Sequence, residues 1–109
     1  MAETITKLEP GDILYASWGY EQTNIDFYKV KKLCGKTQVE LVKIEKRQAD
    51  EQDSEYHISV IPYPASEYPK TFRRKVYNHT RPGVLVNTYK WATLWDGKPK
   101  AETHPHYGH

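Results

Sequence analysis

The chain is a succession of short β-branched and aromatic runs, most of them bordered by glycine or proline, and this pattern favours a mainly β fold. Pro10-Gly11, for example, directly precedes an apolar run, a pattern typical of a turn that leads into a strand. No run has the sustained 3.6-residue periodicity of a helix, and there is no internal repeat. The predicted strands cover residues 13–18, 25–33, 37–44, 57–61, 72–77, 83–87 and 89–95.

The order of these runs predicts how the strands connect. Gly35 separates two of them and supplies the positive φ of a tight hairpin turn. The opening Pro-Gly-Asp-Ile-Leu segment, followed by an aromatic strand and this hairpin, resembles the entry strands of SH3-like barrels, a similarity of fold alone. We therefore predict one domain containing a small SH3-like barrel of five to seven short strands, closed or partly open, because closure removes exposed strand edges. The ordered barrel is expected over residues 8–99, with an irregular tail at 100–109.

Two stretches interrupt the strand pattern. Residues 47–55 are rich in charged residues, Gln and Ser, and predict a mobile acidic loop. Pro62, Pro64 and Pro69 follow the run at 57–61, and proline cannot donate a ladder hydrogen bond. We therefore expect that run to lie on an edge strand or in a loop.

The composition limits the class of protein. The 109 residues are 38% hydrophobic and 13% aromatic, which predicts a thin core in which rings supply much of the buried area. No apolar run reaches the roughly 20 residues of a membrane helix, and Met1–Thr4 do not open a signal peptide. The single Cys34 cannot form an internal disulfide. We expect a cytoplasmic protein with no membrane contact, cofactor or metal; His104, His106 and His109 could hold a transition metal only loosely.

Residues 17–28 form the first candidate binding segment. They combine four large aromatic residues with six polar side chains, more rings than a solvated loop needs and more polar groups than a plain core strand carries. The amides beside the rings could recognise a base, a peptide backbone or a small planar ligand. Alternatively, Thr23 and Asn24 bond their own backbone in a turn. The candidate binding residues here are Trp18, Tyr20, Gln22, Asn24 and Asp26.

Strand alternation predicts an ion pair within this candidate site. If Tyr28 points to the core, then Asp26 points inward as well, and Arg74 shares a face with apolar Phe72 and Val76. A buried charge is tolerated when it is paired, so we expect Asp26 and Arg74 to meet. The alternative is that Arg74 extends past the barrel rim into solvent.

The second candidate segment is basic. The net charge is only +2, yet residues 68–95 contain six basic residues and no acidic one. Basic residues interleaved with aromatic ones are typical of proteins that bind single-stranded nucleic acid, although a solvent-exposed strand face gives the same pattern. The candidate binding residues from this segment are Lys70, Arg73, Arg74, Lys75, Arg81 and Trp91.

Catalysis has little support in the sequence. Cys34 precedes a glycine at a predicted turn, and a nucleophile needs a neighbouring base such as His57, which the sequence does not place. A carboxylate such as Asp26 needs a cleft and a second group for acid–base work. We therefore expect no catalytic residues.

Two motifs carry a resemblance. Ser17-Trp18-Gly19-Tyr20 with Gln22-Thr23-Asn24 and residues 26–30, together with Trp95-Asp96-Gly97-Lys98-Pro99, resembles a set of small uncharacterised proteins of bacteria and their phages and plasmids. The resemblance covers about a quarter of the chain. It implies an accessory protein of mobile-element origin that binds nucleic acid or a host protein, and it implies no catalytic residue.

The expected function is therefore a non-catalytic accessory module that contacts nucleic acid through a basic and aromatic face. The alternative is a module that binds or inhibits a host protein, and a small enzyme using Asp26 or Cys34 is a further alternative. The sequence leaves the partner and the oligomeric state open.

Overall fold

A computed structural model describes residues 8–19, 23–48, 57–77, 82–87 and 90–103; for residues 57, 58 and 101–103 it describes the backbone alone. Within these ranges the chain forms seven strands and no helix. The strands are β1 (Ile13–Trp18), β2 (Asn24–Cys34), β3 (Gln38–Gln48), β4 (His57–Tyr77), β5 (Gly83–Asn87), β6 (Lys90–Leu94) and β7 (Lys100–Thr103). Strands β1 and β5 have the limits that the sequence predicts.

The strands form one antiparallel sheet in the order β3-β2-β1-β6-β5-β4-β7. A further pairing between β3 and β4 closes six of them into a barrel, and β7 pairs with the first part of β4. The expected mainly β class and the small closed barrel are therefore confirmed, and the architecture is consistent with an SH3-like barrel. Among the described residues, none belongs to a helix that could cross a membrane.

The barrel interior is apolar along most of its length. Leu14 of β1 pairs with Tyr28 of β2 and with Leu94 of β6, and these side chains point into the barrel. One step along, Ala16 pairs with Asp26 and with Ala92. The buried residues of this interior are Leu8, Leu14, Ala16, Tyr28, Val30, Val39, Leu41, Val76, Val84, Val86 and Ala92.

A second apolar cluster covers the outside of the barrel at β2 and β3. Phe27 is fully buried, and the ring of Trp95 meets it edge to face with the centroids 6.1 Å apart. Val60, from the first part of β4, packs into the same cluster. Strand β2 is thus buried on both faces, which explains why its sequence does not alternate between apolar and polar residues. The buried members are Ile25, Phe27, Val42, Ile44 and Val60.

Strand β4 differs from the sequence-based expectation. The sequence predicts two separate runs, with the run at 57–61 on an edge strand or in a loop, whereas the structure has one strand of 21 residues. Its register against β3 shifts twice, so that Thr71 pairs with Val42, Glu67 with Ile44, and Tyr63 with Glu45. Pro64 and Pro69 lie within these shifts, where strand residues have no ladder partner, so the strand can continue through them, whereas Pro62 pairs with Lys46.

The glycine turns agree with the sequence-based prediction, but the predicted irregular tail does not. Gly35 has φ 66° in the β2–β3 turn, as predicted, and Gly97 has φ 86° in the turn before β7. That second turn is held by Asp96, whose carboxylate accepts a hydrogen bond from the Lys98 amide at 3.0 Å. Strand β7 occupies residues for which the sequence predicts an irregular tail. Most of the predicted acidic loop, residues 49–55, and the histidines of the tail lie outside the described residues.

Candidate binding site at the barrel mouth

At one end of the barrel the apolar interior gives way to polar and aromatic side chains. Every barrel strand contributes at least one of them, because residues two apart along a strand share a face. We call this end the barrel mouth. It comprises Trp18 (β1), Asp26 and Tyr28 (β2), Lys43 (β3), Tyr68, Lys70, Phe72 and Arg74 (β4), Val86 and Asn87 (β5) and Lys90 (β6).

Asp26 is the buried charge of the mouth, with 6% of its surface exposed. Its carboxylate accepts hydrogen bonds from the Trp18 indole at 2.9 Å and from the Lys90 ammonium at 2.8 Å. The Lys43 ammonium lies 3.7 Å from the second carboxylate oxygen. Its cross-strand neighbour Ala16, and Ala92, which pairs with Ala16 on the next strand, have small side chains that leave room for this cluster.

Lys90 is held by three neighbours. Besides the bond to Asp26, its ammonium lies 3.4 Å from the Tyr28 hydroxyl and 4.7 Å from the centre of the Trp18 ring. Only 12% of its side chain is exposed. A largely desolvated ammonium needs such a carboxylate partner, so Lys90 and Asp26 stabilise each other in the folded state.

The contacts within this cluster shift the pKa values of both Asp26 and Lys90. Burial by itself would raise the pKa of Asp26, but the hydrogen bond from Lys90, the charges of Lys43 and Lys90, and the bond from Trp18 together lower it below its ordinary value. Burial by itself would lower the pKa of Lys90, but the bond to Asp26 raises it above its ordinary value. Both groups are therefore charged near neutral pH, and they form an ion pair rather than a poised acid and base.

The predicted Asp26–Arg74 pair is wrong, although Asp26 does point inward. Register along the strands explains the difference: Arg74 pairs with Val39, which pairs with the far end of β2. Lys90, in contrast, lies close to Ala92, which joins Asp26 through Ala16. Alternation gives the face of a strand to which a side chain belongs, but not which residue of another strand lies next to it.

Arg74 instead bridges a gap between β4 and β5. These strands pair only at Val76–Val84 and Tyr77–Gly83. Beyond that point the Arg74 side chain donates to the Val86 carbonyl oxygen at 2.9 Å and to the Arg73 carbonyl oxygen at 2.7 Å. Its guanidinium carbon also lies 4.8 Å from the centre of the Phe72 ring. The alternative of an arginine extended past the rim is therefore not what the structure has.

The gap forms a groove of about 340 Å³, which we call the seam groove. The buried Tyr28 and Val86 and the half-buried Phe72 supply its apolar side, and the Tyr28 and Phe72 rings meet edge to face at 5.7 Å. Tyr68, with 39% of its surface exposed, Asn87 and three cations complete the lining. Those cations are Lys43, Lys70 and Arg74.

The seam groove continues toward Asp26. The polar residues and the tyrosine of a smaller cavity of about 230 Å³ are Asp26, Lys43, Glu45, Lys46 and Tyr68, so the two cavities share Lys43 and Tyr68. The Lys43 ammonium lies 4.9 Å from the centre of the Tyr68 ring. The first candidate segment and part of the second therefore meet at one end of the barrel.

The charge of the seam groove is one-sided. Among the described residues, its lining contains three cationic side chains and no carboxylate. Neither Lys70 nor Arg74 forms an ion pair with an acidic residue that the structure describes. Lys43 has a carboxylate neighbour only at the longer distance of 3.7 Å. The groove therefore favours an anion.

Comparison of the chain with protein-family models, with curated proteins and with solved structures gave no match. The site is therefore described by its geometry alone.

The sequence-predicted binding residues divide between several places. Trp18, Asp26, Lys70 and Arg74 meet at the mouth, and Asn24 lies beside it, paired with Trp18 across β1 and β2. Tyr20, Gln22 and Arg81 lie outside the described residues.

Three of the predicted residues lie elsewhere on the surface. The Lys75 ammonium is 5.4 Å from the Tyr77 ring, which packs against Trp91 with the ring centres 5.7 Å apart. Arg73 lines a different groove, with Lys32 and Lys36, at the β2–β3 turn. Strand alternation separates these side chains from Lys70 and Arg74, since neighbours along a strand point to opposite faces.

Five residues of the site were not among the binding residues predicted from the sequence: Tyr28, Lys43, Tyr68, Val86 and Lys90. The signal for Lys43 was present: it lies two residues after Leu41, so it continues the inward face as a cation. Lys90 has the same relation to Ala92. Within the described residues no cluster of three metal-binding side chains occurs. Cys34 is partly exposed and lines the groove that contains Arg73.

Proposed function

We propose that this protein is a non-catalytic accessory module of the cytoplasm that binds single-stranded nucleic acid through the barrel mouth. The observation that carries the proposal is the seam groove, in which Lys43, Lys70 and Arg74 surround aromatic side chains with no carboxylate among the described lining residues. The resemblance to bacterial, phage and plasmid proteins supports an accessory role on a mobile element.

The groove contains both kinds of group that a flexible single strand requires. Lys70 and Arg74, which have no carboxylate partner among the described residues, attract the phosphates, and ring faces stack on bases whatever their sequence. Tyr68 is the exposed ring, while Phe72 and Tyr28 give the groove an apolar side. The Asp26–Lys90 pair fixes the adjoining end of the mouth, so the site is formed before the ligand binds.

The proposal is tested by fluorescence anisotropy with a labelled thymidine decamer and with a duplex of the same length, at two salt concentrations. Each phosphate contact contributes a slope of about −0.7 to log K against log salt on a single strand. Three contacts therefore predict roughly 18-fold weaker binding when the salt concentration rises fourfold. We expect the duplex to bind more weakly than the single strand.

Two lysines of β4 provide a matched comparison. Lys70→Gln should make the salt slope shallower by about 0.7 because it removes one phosphate contact. Lys75→Gln removes the same charge from the outer face, next to Tyr77, and should leave the slope unchanged. Absence of decamer binding at low salt, or binding that does not respond to salt, would overturn the proposal.

The protein-binding alternative is favoured by a different observation. Leu85, Trp91 and Tyr77 are large apolar side chains of β4, β5 and β6 that are each about 40% exposed, and Leu85 pairs with Trp91 across the strands. Such a patch is typical of a protein interface. If the chain fails to bind the decamer, and if a complex with a protein partner tolerates high salt but is lost in Leu85→Asp, this alternative replaces the nucleic-acid proposal.

A further inference from the structure

We infer that the seam groove is a mononucleotide site, in which one base packs against the apolar side and its phosphate pairs with Lys70 and Arg74. This inference rests on the proposed function and deepens it, because it names the unit of the strand that the groove holds. The remaining nucleotides would lie outside the groove.

The size of the groove supports a single unit. Its volume of about 340 Å³ lies near the lower end of the roughly 300–1,000 Å³ that small-molecule sites occupy. The groove is limited on two sides. It ends where β4 and β5 pair at Val76–Val84, and the buried Tyr28, with 3% of its surface exposed, closes it toward the barrel interior. A stack of several bases therefore has no room inside.

The chemistry of the groove matches both parts of a nucleotide. Tyr28, Phe72 and Val86 are apolar where a base would lie, and Tyr68 adds an exposed ring. The cations stand at the same groove without a carboxylate among the described lining residues. A neutral base would leave these charges without a partner, and an inorganic anion would leave the apolar side in water, so a ligand that combines the two groups fits best.

Arg74 is already oriented for a phosphate. Two of its hydrogen bonds go to the carbonyl oxygens of Val86 and Arg73, and its guanidinium rests on Phe72. A guanidinium has five N–H donors, so donors remain for a phosphate oxygen. Because the side chain is already held, little conformational entropy is lost when the phosphate binds.

The test is an NMR titration of the full chain with thymidine 5′-monophosphate, thymidine and inorganic phosphate. The Arg74 Nε–H and the Val86 methyl groups report on the groove. The indoles of Trp91 and Trp95 report on the outer face of the barrel and serve as internal controls. We expect the monophosphate to shift the groove signals in a saturable manner, with an affinity at least about fivefold higher than that of thymidine or of phosphate.

Adjacent arginines supply the control variants. Arg74→Gln should weaken monophosphate binding about tenfold or more, whereas Arg73→Gln, which removes a charge from the groove at the β2–β3 turn, should leave it unchanged. Circular dichroism and the Trp95 indole signal establish that each variant is folded. Equal affinities for the monophosphate and for phosphate alone would overturn the inference, as would equal losses in both variants.

The two proposals can fail separately. If the decamer binds with the expected salt dependence but shifts the signals around Lys32 and Lys36 instead of the seam groove, the nucleotide site is wrong and single-strand binding stands. If the monophosphate binds in the groove but the decamer does not bind, the nucleotide site stands and the nucleic-acid function is wrong. If neither binds, both are wrong.

Discussion

At the scale of single residues, the Asp26 carboxylate organises the barrel mouth. It lies beside two alanines and receives hydrogen bonds from Trp18 and Lys90, which come from the two strands that adjoin this part of the interior. A buried ion pair is not in itself strongly stabilising, but removal of one partner leaves the other uncompensated. The cluster therefore acts mainly by fixing where the side chains of the mouth lie.

Asp26→Asn should lower the free energy of unfolding at pH 7 by about 3 kcal/mol, because the buried Lys90 ammonium loses its counter-charge. Since folding lowers the pKa of Asp26, its contribution is fully present above the unfolded value of about 4 and is lost as the pH falls through the folded value. The difference between wild type and variant should therefore shrink as the pH falls below about 4. Urea denaturation followed by tryptophan fluorescence measures it.

Glu40→Gln is the control for that experiment. Glu40 lies 3.9 Å from Lys32 in a pair whose lysine is 61% exposed. Such surface pairs contribute at most about 1 kcal/mol. A loss as large as that of Asp26→Asn, or an Asp26→Asn effect that does not change with pH, would contradict the assignment of the buried pair.

A double-mutant cycle distinguishes the observed partner of Asp26 from the one that alternation predicts. Asp26→Asn combined with Lys90→Met should show a coupling free energy of about 1 kcal/mol or more, because the two groups are in contact. Asp26→Asn combined with Arg74→Met should be additive within about 0.5 kcal/mol. A larger coupling to Arg74 than to Lys90 would contradict the structure.

At the scale of strands, irregularities shape the barrel as much as regular pairing does. Strand β4 continues through Pro64 and Pro69 at its two register shifts. The same shifts place Glu67 opposite Ile44 and within reach of Lys29 and Lys31. Lys31 itself lies at a register shift of β2. The limited pairing of β5 with β4 produces the seam groove, so the candidate site is a consequence of where two strands separate.

Gly83 lies where β5 and β6 approach each other closely. A Cβ atom on this residue would lie 2.6 Å from the Ala92 carbonyl oxygen and 2.7 Å from the Trp91 ring. Gly83→Ala should therefore lower the free energy of unfolding by about 1–3 kcal/mol, as overpacking does. Thermal and urea denaturation measure the effect.

The neighbouring Leu85→Ala is the matched control on the same strand. Leu85 is 44% exposed, so this change should stay within about 0.5 kcal/mol of wild type. If Gly83→Ala were as stable as Leu85→Ala, the close contact between β5 and β6 would be wrong.

At the scale of the whole molecule, the barrel is well packed around β2, where the two apolar clusters lie, and more open at the seam between β4 and β5. Strand β2 is packed on both faces, with Tyr28 in the interior cluster and Phe27 in the outer one. The seam between β4 and β5 has only two ladder pairs and one bridging arginine. Regions with few backbone pairs open at lower free energy than the rest of a domain.

Native-state hydrogen exchange should therefore detect the seam as the first part of the barrel to open. We expect amides of residues 85–87 to exchange faster than those of residues 25–30, and thymidine 5′-monophosphate to slow the exchange at the seam. Uniform protection across both segments would contradict the idea that the barrel is weakest there.

Local sequence rules were sufficient for strands whose ends are marked by turn residues. The limits of β1 follow from Pro10-Gly11, and the β2–β3 turn follows from Gly35 and its positive φ. The rules were not sufficient for β4, because proline reports a missing hydrogen-bond donor without reporting whether a bulge accommodates it. They also missed β7, whose pairing partner, residues 57–60 of β4, is distant in the chain.

For the candidate site, the sequence by itself determined that the fold is mainly β, that Asp26 points inward and that aromatic residues accompany the basic ones between residues 68 and 95. These properties depend on alternation and composition, which are local. Only the tertiary structure decided that Lys90 and Trp18 bind Asp26, that Lys43 and Tyr68 join the mouth, and that Arg73 and Lys75 lie apart from it. Those contacts depend on register and on barrel closure, which bring together residues far apart in the chain, and no local pattern specifies either one.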